Sequence, residues 1–210
     1  VLFRSSVIKS KIGEHVEKIT TWNPAQSLID EEFSYIDLSS IDKDEKLISL
    51  NDVQLVTSET APSRARQLVR KDDVLVATVR PNLNGVAVIP ESLEGATAST
   101  GYCVLRANGL TLDSKYLYYW VRTNIFIDEM MKNATGANYP AVSDKIIKDS
   151  KIPLPPLAEQ KRIAAILDKA DAIRRKRQQA IKLADDFLRS VFLDMFGDPV
   201  SNPKGLRVVP

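Results

Sequence analysis

Apolar residues fall in two patterns along the chain, with a change near residue 110. Before it they come as short alternating or β-branched runs, which predict strands. After it they recur every three or four residues, which predicts helices. Residues 10–21 carry Ile12, Val16 and Ile19 and read as a short strand or turn. Residues 33–38 alternate large and polar side chains, 54–57 form a shorter strand, and 42–46 are a charged turn. Residues 61–71 read as a basic loop or short helix. The strongest strand signal is 73–79, β-branched and mostly apolar, as in a central strand. Residues 80–85 are a turn by composition, and 86–89 return from it as a strand. Residues 96–100 are small and polar and predict no element, whereas 101–106 predict another strand. Asp113 or Ser114 then caps a helix running to about Asn133, with Leu117, Val121, Ile125 and Asp128 on one line. Its aromatic cluster of Tyr116, Tyr118, Tyr119 and Trp120 reads as packing. Residues 134–140 are a loop, and Ser143 or Asp144 caps a short helix through Ile147.

The final pattern is the longest. From Leu157 to Phe196 the chain has no Gly or Pro and consists mostly of good helix formers. The prolines of Ile152-Pro-Leu-Pro-Pro156 stand before it or in its first turn, where a helix tolerates them, and Gly197 and Pro199 end it. About 40 residues at about 1.5 Å each make roughly 60 Å of helix, more than the diameter of a domain built from the remainder. A seam steps by three and four through Ile163, Ile166, Ala170, Ile173, Arg177, Ala180, Ala184, Phe187 and Val191. Leu167, Ile181, Leu188 and Met195 widen it. Such a stripe calls for a partner helix, and Arg177 is a polar break of the kind that sets register.

Composition narrows the function classes. The 210 residues suit one globular domain plus this helix. Net charge is +2, but residues 1–150 hold 17 Lys and Arg against 20 Asp and Glu, while 157–196 hold 9 against 6. Any basic surface on the domain must therefore be local. A single cysteine, Cys103, excludes an internal disulfide and a multi-cysteine zinc site. One histidine, His15, excludes a histidine metal cluster. No apolar run nears the roughly 20 residues that cross a bilayer, so the expected compartment is cytoplasmic. Neither a P-loop nor a glycine-rich cofactor loop is present, and Pro155-Pro156 lies between leucines rather than in a methyltransferase's catalytic motif. The expectation is a non-catalytic chain.

The run from Ile152 through Glu159-Gln160-Lys-Arg-Ile-Ala-Ala-Ile-Leu167-Asp is the most specific motif. With Phe196-Gly-Asp-Pro199 and Asn202-Pro-Lys-Gly205 after the helix, it resembles the specificity subunit of type I restriction–modification enzymes. The segment from Lys11 to Ile19 resembles the start of that family's recognition domain. The resemblance implies an α+β fold: a mixed α/β target-recognition domain over 1–151, with a twisted, largely antiparallel sheet, followed by a coiled-coil-forming spacer helix over 152–197. Residues 198–210 would be a linker into a second recognition domain, making this chain the N-terminal half of a longer protein. Val1 to Ser5 read as an artefact of sequencing or cloning. Implied partners are double-stranded DNA and the modification subunits, with the restriction subunit as a further candidate. A second recognition half would join in cis, or a homodimer would form in trans through the helix. S-adenosylmethionine is implied on the modification subunits and no cofactor on this chain. The rival class is a coiled-coil dimerising protein-interaction module without DNA specificity.

Two constellations could touch DNA. The first is a pair of loops holding Arg64, Arg66, Arg70, Lys71 and Arg80, Asn82, Asn84. Arg reads guanine and Asn reads adenine bidentately in the major groove, and Arg, Lys, Ser and Thr hold phosphates. The bland reading of 80–85 is a solvated turn. The second is Thr135, Asn138, Tyr139, Ser143 and Lys145, where a loop runs into a helix N-terminus; its bland reading is a cap beside a packed tyrosine. On the long helix, Arg174-Arg-Lys-Arg177 reads first as a solvated face and second as a contact with DNA or a partner subunit. Glu159 and Gln160 suit the positive end of the helix dipole.

Overall fold

The computed structural model describes residues 8–26, 31–198, 200–201 and 204–205. The readings at residues 1–5, at Pro199 and at Asn202-Pro203 lie outside them. The chain divides into two compact units, Val1–Ala165 and Ile166–Pro210.

The first unit is mixed α and β. Its strands are β1 (Lys9–Lys11), β2 (Val16–Glu17), β3 (Phe33–Ile36), β4 (Ile41–Asp42), β5 (Leu47–Ile48), β6 (Gln54–Val56), β7 (Ala65–Leu68), β8 (Val74–Ala77), β9 (Val86–Val88), β10 (Thr97–Ser99) and β11 (Tyr102–Ala107). Helices α1 (Ser114–Trp120), α2 (Asn124–Asn133) and α3 (Asp144–Asp149) follow, and then β12 (Lys151–Pro153). Two four-stranded sheets, ordered β6-β3-β10-β7 and β2-β11-β8-β9, form the body. All described strand pairs are antiparallel except β3 with β10.

Strand β8 is covered on both sides, which explains its continuous apolar run. Val74 and Val76, with Cys103 and Leu105 of β11, face a core built by Leu117, Phe126, Met130 and Ile147 of the helices. Leu75, with Tyr102 and Val104, faces a second core with Ile36, Val69 and Ala98. The alternation along each strand thus feeds two cores.

Three expectations are corrected. Residues 61–71 are not a loop or helix throughout. Ala65 and Gln67 are buried and alternate with half-buried Arg66 and Leu68 as β7, which pairs with β10. Residues 96–100 contain the fully buried strand β10. The helix from Asp113 does not run to Asn133: it stops after Trp120, and Thr123 starts a second one, its Oγ1 accepting from Phe126 N–H at 3.3 Å. The restart rotates the face, leaving Ile125 exposed while Phe126 and Met130 are buried.

Helix α4 (Leu157–Phe196) covers the stretch that has no Gly or Pro, whereas Ile152 and Pro153, read as the start of the spacer helix, lie in β12. Its first turns belong to the first unit, where Ala164 and Ile163 pack against the helical core.

Candidate nucleic-acid interface

Strand β8 delivers the chain into the first candidate loop. Arg80 lies in the left-handed region at φ 52°, ψ 60°, and Asn84 does the same at φ 46°, ψ 55°. Between them Pro81–Leu83 make one tight 3-10 turn, closed by Leu83 N–H to Arg80 O at 2.9 Å and Asn84 N–H to Pro81 O at 3.0 Å. Asn tolerates this conformation, but for Arg it costs roughly 1–2 kcal/mol. Contacts from elsewhere therefore hold Arg80 in place. Pro81 is buried beneath the turn, and Gly85, the next residue after Asn84, packs closely on β8: a Cβ there would stand 3.1 Å from the Ala77 Cβ, so one of the two would have to give by a few tenths of an ångström.

The second candidate loop supplies those contacts. Arg80 N–H donates to Pro140 O at 2.7 Å, and Val142 N–H donates to Thr78 O at 2.9 Å. Thr135 and Ala141 exchange both backbone hydrogen bonds at 2.9 Å, closing residues 135–141 into a loop. Gly136 makes the closure possible: at φ 95° it occupies glycine territory, and a Cβ there would lie 2.8 Å from the Tyr139 carbonyl oxygen. At the tip, the Arg80 guanidinium carbon stands 4.4 Å from the centroid of the Tyr139 ring. An open cleft of about 240 Å³ lies alongside, with Arg80 and Tyr139 lining it together with Leu38, Val79, Leu83 and Tyr102. Burial pushes the Tyr102 phenol well up, and its hydroxyl donates to Asp37 O at 2.7 Å.

The structure thus joins the two constellations in part. Arg80, exposed Asn82 and Tyr139 share one surface. Thr135 is the hinge of the second loop and Asn138 lies exposed within it. Arg64 stands at the same end of the strands, since its carbonyl accepts from Thr100 N–H while Gly101 O accepts from Thr78 N–H, both at 2.9 Å.

The other residues separate. The side chain of Asn84 turns inward, its Nδ2 donating to Arg122 O at 3.4 Å, while Lys46 Nζ donates to its carbonyl at 2.6 Å. Arg66 lies within β7 and pairs with Asn23. Arg70 and Lys71 precede Val74, which pairs with Val88 and Leu105, so they sit at the opposite end of β8 from Arg80. The pair of basic loops is therefore not one patch: an extended strand stands between its halves. Lys71 ion-pairs with Glu91 at 2.9 Å, a contact that raises the ammonium pKa and lowers that of the carboxyl. Ser143 caps α3, its Oγ accepting from Ile146 N–H at 3.4 Å. Lys145 lines a different groove, with Lys11, Glu14 and Asp149.

Gln160 carries more than the helix-dipole role read for it. It is fully buried, and it fastens the start of α4 to the segment before α1. A polar residue three positions into a helix reads as solvated, so only the packed structure exposes this role.

In the second unit the seam is open. Ile166, Ile173, Phe187 and Val191 are exposed, as are Leu167, Ala170, Arg177, Ala180 and Ala184. Ile163 is the exception, being used by the first unit's core. The charge run divides: Arg174 and Arg175 contact Asp171 at 3.1 and 2.5 Å, and Arg177 is exposed on the seam. Among the described residues no group of three or more metal-binding side chains gathers, and no helix is long and apolar enough to cross a membrane.

The first unit is thus a mixed α+β body with exposed polar loops, and the second is a helix whose apolar seam is exposed. The chain belongs to the family described as the type I restriction modification DNA specificity domain, whose model matches residues 33–183. It is 23% identical over 211 residues to the MjaIX specificity subunit of Methanocaldococcus jannaschii, over 81% of this chain and 48% of that protein. The HsdS subunit of Thermoanaerobacter tengcongensis superposes with a TM-score of 0.71 at 31% identity, over 97% of this chain and 51% of that one. A chain from a structure of complex assembly and conformational transition in a type I R-M system gives 0.73, also at 31% identity. The chain spans about half the length of these relatives.

Proposed function

We propose that this chain is a DNA-recognition half of a type I specificity subunit, in which the first unit reads one half of a split target. Arg80, Asn82 and Asn138 would make the groove contacts, with Tyr139 beside Arg80 in the same head, and Arg64 would hold a phosphate at the flank. The observation that carries this reading is the hydrogen bonding of loops 80–84 and 135–141 into one exposed, polar head whose single charged side chain is Arg80. It supplies local basic character to a domain whose net charge is −3 over residues 1–150. Helix α4 would pair antiparallel with a counterpart, from a second recognition half or a second copy. The paired helices would set the distance between half-sites and offer a surface to the modification subunits. Those subunits would bring S-adenosylmethionine chemistry.

The test is a methylome. The full-length gene is co-expressed with its modification subunit in a host lacking adenine methylation, and the modified bases are sequenced. A split motif is the expected result. Two identical inverted halves would indicate two copies paired through the helix, and two different halves a second recognition domain in cis. Absence of any sequence-specific methylation, with duplex binding insensitive to salt, would overturn the reading in favour of a protein-interaction module.

A further inference from the structure

Tyr139 is exposed over 66% of its surface, and an exposed tyrosine beside a DNA-facing loop is ordinarily read as a base-stacking platform. Its ring already has an occupant. We infer that Tyr139 is a positioning residue for Arg80, so that the two loops read the same base pair and not two different ones. The inference rests on the DNA-reading role proposed above.

Three observations support it. First, the guanidinium lies over the ring at 4.4 Å. A ring takes one face of the guanidinium plane and leaves its N–H edge open, and that edge is what pairs bidentately with guanine O6 and N7. Stacking and reading use perpendicular directions and are compatible. Second, the strained backbone of Arg80 is held by a hydrogen bond to Pro140, the residue directly after the ring. The same loop therefore fixes both the origin of the side chain and its far end. Third, that loop is closed on itself by the Thr135–Ala141 bridge and by Gly136, so the ring is presented from a tied base. A free arginine has several rotatable bonds to order on binding. One laid against a fixed ring has fewer, and discriminates more sharply between right and wrong bases.

The test uses the full-length protein assembled with its modification subunits. Affinities are measured for the cognate duplex and for every single-base variant of it. Arg80→Ala is expected to lose about 10–100-fold discrimination at one position. Tyr139→Leu should lose a smaller factor at that same position, Tyr139→Phe should retain it because the ring persists, and Arg80→Ala/Tyr139→Leu should be no worse than Arg80→Ala alone. The salt dependence should be unchanged in the Tyr139 variants. Relaxation at a different position, or losses that multiply in the double variant, would show independent base stacking and overturn the inference. A uniform loss for all duplexes in Tyr139→Leu would mark a merely structural role and overturn it equally. If the unsubstituted assembly does not discriminate between duplexes, it is the DNA-reading role itself that fails.

Discussion

Gln160 and Asp113 are joined across 47 positions of sequence: the Asp113 N–H donates to Gln160 Oε1 at 3.0 Å. Gln160 Nε2 uses both of its protons, donating to Thr111 O at 2.8 Å and to Pro155 O at 2.9 Å. The Asp113 carboxylate meanwhile accepts from Tyr116 N–H at 3.0 Å and caps α1. One buried amide therefore ties the first turn of α4 to the cap of another helix and to the proline-rich segment that leads into it.

Replacing that amide should be costly. Gln160→Leu takes the partner from one donor and two acceptors, which belong to exposed Thr111 and half-buried Asp113 and Pro155 and so can be partly rescued by water, and an expected loss of about 1–3 kcal/mol follows. Gln160→Glu is the sharper test. At neutral pH it sets an acceptor-only carboxylate against two carbonyl oxygens, whereas the protonated acid can donate to one of them. Urea unfolding at pH 5 and pH 8 should show the Gln160→Glu variant relatively more stable at the lower pH. Equal stability of this variant and the wild-type protein at pH 8 would contradict the hydrogen-bond arrangement.

Asp73 gives a second test, at the start of β8. It is almost fully buried and takes a two-pronged contact from Arg106, at 2.8 Å from Nε and 2.7 Å from Nη2, and it also accepts from Arg70 N–H at 2.8 Å. Removing one partner of a buried pair strands the other. Asp73→Ala should cost about 3–5 kcal/mol, and Asp73→Ala/Arg106→Met should recover much of it. A double-mutant cycle by chemical denaturation measures the coupling, and additive losses would show that the pair is not a unit.

The sequence made some of this legible and hid the rest for physical reasons. The bounds of α4 were readable because 40 residues without a breaker leave no other structure. β8 was readable because both its faces are covered. β10 was not: Thr97, Ala98 and Ser99 are fully buried, but they are small, and interior position in a sheet does not announce itself in hydrophobicity. β7 was hidden because Ala, Arg, Gln and Leu are good helix formers, and pairing with β10 overrides that propensity. The candidate loops are legible from turn chemistry and charge. Their union through Arg80 and Pro140 is not, because it spans about 60 residues and depends on where β8 ends. The false grouping of Arg70 and Lys71 with Arg80 has the same origin, since nearness in sequence does not amount to nearness across an extended strand.

Alkaline pH offers a third measurement. Burial pushes the Tyr116 phenol up to about 12, and its hydroxyl donates to Pro153 O at 2.9 Å. A folded-state value above the unfolded one means stability that is fully present below about pH 10 and lost as pH rises through the folded value. Tyr116→Phe should lose about 1 kcal/mol near neutrality and lose less than wild type between pH 10 and 12. Tyr102, shifted further in the same direction, would keep a residual slope in the variant. An alkaline limb identical to wild type in Tyr116→Phe would contradict the assignment.

The helix provides the last prediction, and it addresses the proposed ruler directly. Between Ile166 and Val191 the seam is exposed, and no proline or glycine interrupts it. Removing seven residues, such as 178–184, deletes two turns and restores nearly the same face, because seven residues are close to two turns of 3.6. The apolar stripe therefore stays in register with a partner shortened in the same way. Seven residues at 1.5 Å shorten the helix by about 10.5 Å, and at about 3.4 Å per base step that corresponds to roughly three base pairs. With both paired helices shortened, methylome sequencing should find the same two half-sites separated by about three fewer base pairs. Removing four residues instead should scramble the seam and abolish assembly rather than alter spacing. Retention of the original spacing after the seven-residue deletion would show that something other than α4 sets the distance.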